Sequence, residues 1–95
     1  MKIEDAIKKY CEKMCPGIMP TDENGYWNIN IQFVNSDGAE DETQFDIKPY
    51  RFDYGVGRCS ELVELWKEFC KENGFKQNSV LEIYIVNYRR RKGQS

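Results

Sequence analysis

Apolar residues return at Ile3, Ile7, Tyr10, Cys11 and Met14, a one-sided stripe with the 3.6-residue period of a helix. Glu4 and Asp5 occupy its first turn, where the helix dipole favours negative charge, and they precede Lys8 and Lys9 in the favourable i,i+4 order. Pro16 and Gly17 stop this helix, predicted over 3–14. The period then changes to two. Trp27, Ile29, Ile31 and Phe33 alternate with Asn28, Asn30 and Gln32, which predicts a strand with one dry and one wet face. Asn35-Ser36-Asp37-Gly38 is turn chemistry, and the acidic run after it extends the loop. Phe45 and Ile47, alternating with Gln44, Asp46 and Lys48, predict the returning strand of an antiparallel hairpin.

After Pro49 the alternation resumes one residue out of phase, with Tyr50, Phe52, Tyr54 and Val56 on one side. This predicts a short third strand, followed by a glycine turn at 55–58. A second helix begins near Ser60, a good N-cap, with Glu61 and Glu64 in its first turn. Its stripe is Leu62, Leu65, Trp66, Phe69 and Cys70. Gly74 suits a left-handed C-terminal cap, with Phe75 as its hydrophobic contact. The final strand, 80–88, is apolar on both sides: Leu81, Ile83 and Ile85 on one, Val80, Tyr84 and Val86 on the other. That pattern suits a central strand, or one whose second face is covered. The order is α-β-β-(β)-α-β. The expected fold is α+β: one small domain over 1–88, with an antiparallel or mixed sheet of three to four strands and both helices packed on one face. Residues 89–95 form a basic, flexible tail.

Composition sharpens this picture. Ninety-five residues, 40% hydrophobic, support one modest core and no second one. The net charge of −2 conceals a strong polarity. Residues 21–47 carry Asp22, Glu23, Asp37, Glu40, Asp41, Glu42 and Asp46 and no Lys or Arg, whereas Arg89, Arg90, Arg91 and Lys92 are consecutive. No apolar run approaches the roughly 20 residues that cross a bilayer, and the charged start does not resemble a secretory signal. The expectation is a cytoplasmic protein with no membrane role, in keeping with a small bacterial accessory protein, and with Cys11, Cys15, Cys59 and Cys70 as reduced thiols.

The chemistry inventory is short. The sequence has no histidine, which removes the commonest general base and the usual Cys/His and Ser/His pairs. Cys59, just before the second helix, could be activated by that helix's N-terminus, but a packed thiol is the commoner fate. The cysteine spacing does not form two paired metal knuckles, and neither acidic loop has the calcium-loop frame. GVG at 55–57 is too short to cradle a phosphate. No catalytic residue, metal or cofactor is expected.

What remains is recognition. Tyr50, Arg51, Phe52, Tyr54 and Arg58 concentrate the side-chain types that dominate binding hot spots, beside an acidic hairpin carrying Asp37, Glu40, Asp41 and Glu42. A one-signed patch steers an oppositely charged partner, so the first expectation is a non-enzymatic protein-interaction module, an adaptor or inhibitor. The alternative is nucleic-acid binding, with sheet aromatics stacking bases and Arg89, Arg90, Arg91 and Lys92 on phosphates. The acidity of the chain weighs against it. The same polarity of charge would also let two copies pair as a homodimer.

Overall fold

The computed structural model describes residues 1–13, 25–48 and 57–90, with backbone only for 25–27 and 85–90. The third strand expected over 50–56, Met14, Cys15 and residues 91–95 lie outside that description. Five elements follow in order: helix α1 (Ile3–Lys13), strands β1 (Gly25–Val34) and β2 (Glu40–Ile47), helix α2 (Ser60–Asn73) and strand β3 (Val80–Arg90). The strands form one antiparallel sheet in the order β2-β1-β3. Two helices with a three-stranded antiparallel sheet make a small α+β domain, as the pattern predicted.

One face of the sheet carries the core. Ile29, Ile31 and Phe33 of β1 are buried with Ile3, Ala6 and Ile7 of α1 and Leu62, Trp66 and Cys70 of α2. Phe33 is the hub of an aromatic cluster, meeting Trp66 at 5.3 Å, Phe69 at 5.7 Å and Phe75 at 5.1 Å between ring centroids. Phe45 of β2 joins through Phe69 at 5.9 Å. The indole N–H of Trp66, buried with its ring, donates to the Gln77 carbonyl at 2.9 Å, so the core keeps no unmet polar atom there. The cap of α2 is the one expected. Gly74 is left-handed, at φ 71, and the Phe75 amide reaches back to the Cys70 carbonyl at 2.9 Å.

Three boundaries differ from the sequence reading. The N-cap of α2 is Cys59, in extended backbone and without a side-chain cap bond; Ser60 is already helical. Strand β2 starts at Glu40, so Glu40, Asp41 and Glu42 are strand rather than loop, paired to Val34, Phe33 and Gln32. This is feasible because the turn is tighter than its composition suggests. Asn35 Oδ1 accepts the amides of Asp37 (2.9 Å) and Ala39 (3.1 Å), and Gly38 takes φ +79. Strand β3 runs on to Arg90, with Arg89 opposite Tyr26 and Arg90 opposite Gly25, so these two arginines belong to the sheet and not to a tail.

Finally, β3 flanks the sheet among the described residues, and β1 is central. The two-sided apolar pattern of β3 has another cause. Its register against β1 slips between Gln32 and Phe33, where the partner jumps from Glu82 to Val80. Leu81 is the extra residue of a bulge. Val80 and Ile83, of opposite parity, are therefore both buried on the core face, while Leu81 is 40% exposed.

Candidate functional site

Directly paired residues in adjacent strands share a face. The register therefore places Asn28, Asn30 and Gln32 of β1 beside Asp46, Gln44 and Glu42 of β2 on the side away from the core. On the β3 side, Asn30 faces Tyr84 and Gln32 faces Glu82. Gln32 thus lies between two carboxylates. Glu40 continues the row opposite Val34.

The asparagines were expected to be wet. They are buried instead, Asn28 at 6% exposure and Asn30 at 1%. A buried amide needs partners, and each asparagine finds a carboxylate on β2. Asn28 Nδ2 donates to Asp46 Oδ1 at 2.9 Å, directly across the strands, and Asn30 Nδ2 donates diagonally to Glu42 Oε2 at 3.3 Å. Asn30 Oδ1 is also buried, and it has no hydrogen-bond partner. A hint was present in the sequence: Asn is depleted from strand interiors, so two in alternation on a central strand point to a specific polar arrangement.

Near the hairpin this face holds a depression of about 290 Å³, lined by Gln32, Glu40, Asp41, Glu42 and Leu81. The three acids are exposed; Asp37, also exposed, lies apart in the turn and does not line the depression. Asp41 has its carboxylate turned to the Glu42 amide, which donates to Oδ1 at 2.8 Å. The structure therefore brings the predicted Glu40, Asp41 and Glu42 together and adds Leu81, Gln32 and Glu82. These additions depend on strand register and could not be read from local composition.

The other predicted residues lie elsewhere. Arg58 is exposed just before α2 and lines a separate groove of about 450 Å³ between α1 and the start of α2, with Glu4, Asp5, Lys8, Glu64 and Lys67. Charges of both signs alternate there. Tyr50, Arg51, Phe52 and Tyr54 lie outside the described residues, as do Arg91 and Lys92. Arg89 and Arg90 hold strand positions at the opposite end of β3 from Glu82.

The thiols are placed for packing. Cys59 and Cys70 are buried, Cys11 is half-buried, and all three are unbridged. Burial pushes the Cys59 thiol above its ordinary value, with Glu61 and Cys11 adding to the rise and the amides of Leu62 and Glu61 opposing it. Burial also pushes Cys70 up to about 11. Both shifts run opposite to what a nucleophilic thiolate requires. Among the described residues no three His, Cys, Asp or Glu side chains converge as metal ligands, and no helix is long and apolar enough to cross a membrane. The fold and this acidic sheet face define the class: a small α+β domain with one polar, carboxylate-rich sheet surface. Comparison with protein-family models, with curated proteins and with solved structures finds no match to the chain.

Proposed function

We propose that this chain is a non-catalytic protein-interaction module whose acidic hairpin docks a basic partner protein. The observation that carries the proposal is the depression across this end of the sheet, lined by Glu40, Asp41 and Glu42 on the β2 side and by the exposed Leu81 on the β3 side. Carboxylates beside an apolar residue offer both steering and a dry contact. Exposed Leu81 is one of two large apolar residues standing out among the described residues, the other being Met1. Two copies meeting through this face would set carboxylate against carboxylate, which favours a basic partner over a second copy. The same carboxylates repel phosphate, which disfavours nucleic acid at this surface.

The test is affinity capture from the source cell with the wild-type chain and a triple variant, Glu40→Gln, Asp41→Asn and Glu42→Gln. A protein recovered by the wild type and lost from the triple variant supports the assignment. Equal recovery by both removes the hairpin from consideration. A parallel arm with Tyr50→Ala and Arg51→Ala asks whether the 49–58 segment contributes to the same contact. Titration of labelled single-stranded nucleic acid at low salt supplies the competing outcome. Binding that weakens steeply with salt and is lost on removing residues 91–95 would replace the protein-partner assignment.

A further inference from the structure

From the buried acceptor at the centre of the polar sheet face, we infer that Asn30 and Glu42 form a subsite for an arginine side chain of the partner. This inference rests on the protein-partner proposal above and specifies how that partner is held. Asn30 is 1% exposed, its Nδ2 is committed to Glu42, and its Oδ1 has no partner. A buried acceptor left unmatched costs free energy, so a ligand that brings a hydrogen-bond donor to it recovers that cost on binding. Gln44 and Tyr84, directly opposite Asn30, carry donors but make no hydrogen bond to this oxygen, and two acids lie close by: Glu42 on the β2 side, and Glu82 across Gln32 on β3. What completes such an array is a cation with several N–H groups.

Two species could meet that description, a metal ion or a nitrogen cation. The described carboxylates do not converge as metal ligands, which leaves the nitrogen cation. Arginine fits better than lysine. Its planar fork carries donors in fixed directions and can satisfy a carboxylate and a neighbouring carbonyl oxygen together, while an ammonium is a compact, strongly hydrated point charge. Asn30 Oδ1 and Glu42 are such a pair, because the amide that bears the unmatched oxygen is already bonded to that carboxylate at 3.3 Å. The side chains beside Asn30 can part to admit the head group: Glu42 and Gln44 are exposed and Tyr84 is half-buried.

Two fluorescein-labelled octapeptides, one alternating glycine with arginine and the other glycine with lysine, provide equal charge with different head groups. Fluorescence anisotropy at low salt is expected to show the arginine peptide binding about tenfold more tightly, the scale of one additional hydrogen bond to a charged group. Glu42→Gln, an exposed position that leaves the fold intact, and Asn30→Ala should each remove that preference. Asp37→Asn, an equal change of net charge at the remote turn, should leave it unchanged. Equal affinity for the two peptides, or a preference that survives Glu42→Gln, overturns the subsite. If both peptides bind equally and the triple hairpin variant abolishes binding, the subsite fails while the acidic docking surface stands. If neither peptide binds, both fall.

Discussion

On one side of the sheet Ile29, Ile31 and Phe33 are fully buried beneath two helices; on the other, Asn28 and Asn30 are nearly as buried, yet no described helix packs there. The two sets alternate along a single strand. On the first side burial is non-directional: aromatic rings meet at 5.1–5.7 Å around Phe33 in several orientations, and any well-filled arrangement is rewarded. On the second side burial is tolerated only atom by atom. Asn28 meets Asp46, Asn30 meets Glu42, and one oxygen is left over. The core face supplies stability, and on the polar face each buried group depends on one particular partner atom, the kind of surface the proposed docking would use.

The largest effect expected from this division is on the core face. Trp66→Ala removes the largest fully buried side chain among the described residues, its edge contact with Phe33 and its hydrogen bond to Gln77. Denaturant unfolding should record a loss of about 3–5 kcal/mol. Gln44→Ala, exposed on the other face, should change stability by no more than about 0.5 kcal/mol. Losses of similar size at the two positions would abolish the distinction between the faces.

A second, smaller effect is set by pH and also belongs to the core. The Cys70 thiol is pushed from 9.0 to about 11 by burial, and burial raises Cys59 as well. Between these values the folded chain keeps a proton that the unfolded chain has lost. The unfolded state then binds fewer protons, so stability falls as pH rises. The contribution is fully present below pH 9 and is lost progressively up to about pH 11. Unfolding measured at several pH values across that window should show the decline, and Cys70→Ala should make it shallower. A slope unchanged by that substitution would mean the thiol is not shielded as its position implies.

The core face was the legible one. The stripes of both helices, the alternation of β1 and the Gly74–Phe75 cap each depend on residues within a turn or two of one another, and local pattern carries them. Less could be read where tertiary pairing decides. The acids at 40–42 look like loop by composition, but opposite Val34, Phe33 and Gln32 they complete the ladder to β1. Cys59 caps α2 in place of Ser60 because the chain enters the helix one residue earlier than side-chain preference alone would place it. At the candidate site, Glu40, Asp41 and Glu42 were visible as a run of charge. Gln32, Glu82, Leu81 and Asn30 were not, since they join it only through the register of two strand pairs and a bulge.

That bulge gives the sharpest and smallest expected effect. In a regular strand, deleting one residue turns every side chain beyond it to the other face. At Leu81 the structure predicts otherwise. With Leu81 removed, Glu82 still faces Gln32 and Val80 still faces Phe33, because those pairings already exist with Leu81 as the supernumerary residue. Val80 remains in the core, Glu82 remains outside, and the loss is one exposed leucine. The deletion variant should fold, with its unfolding free energy within about 1 kcal/mol of the parent. Deleting Tyr84 instead closes an in-register stretch. It would move Glu82 opposite Ile31, under the helices, and Ile83 opposite Asn30, and the burial of that charge should unfold the chain. Circular dichroism and denaturant titration of the two deletions separate the cases. If removing Leu81 were as damaging as removing Tyr84, the bulge would not be what sorts β3 between the two faces. If it is tolerated, the leucine is dispensable for folding, and its exposure in the depression shared with Glu40, Asp41 and Glu42 is free to serve the proposed docking surface.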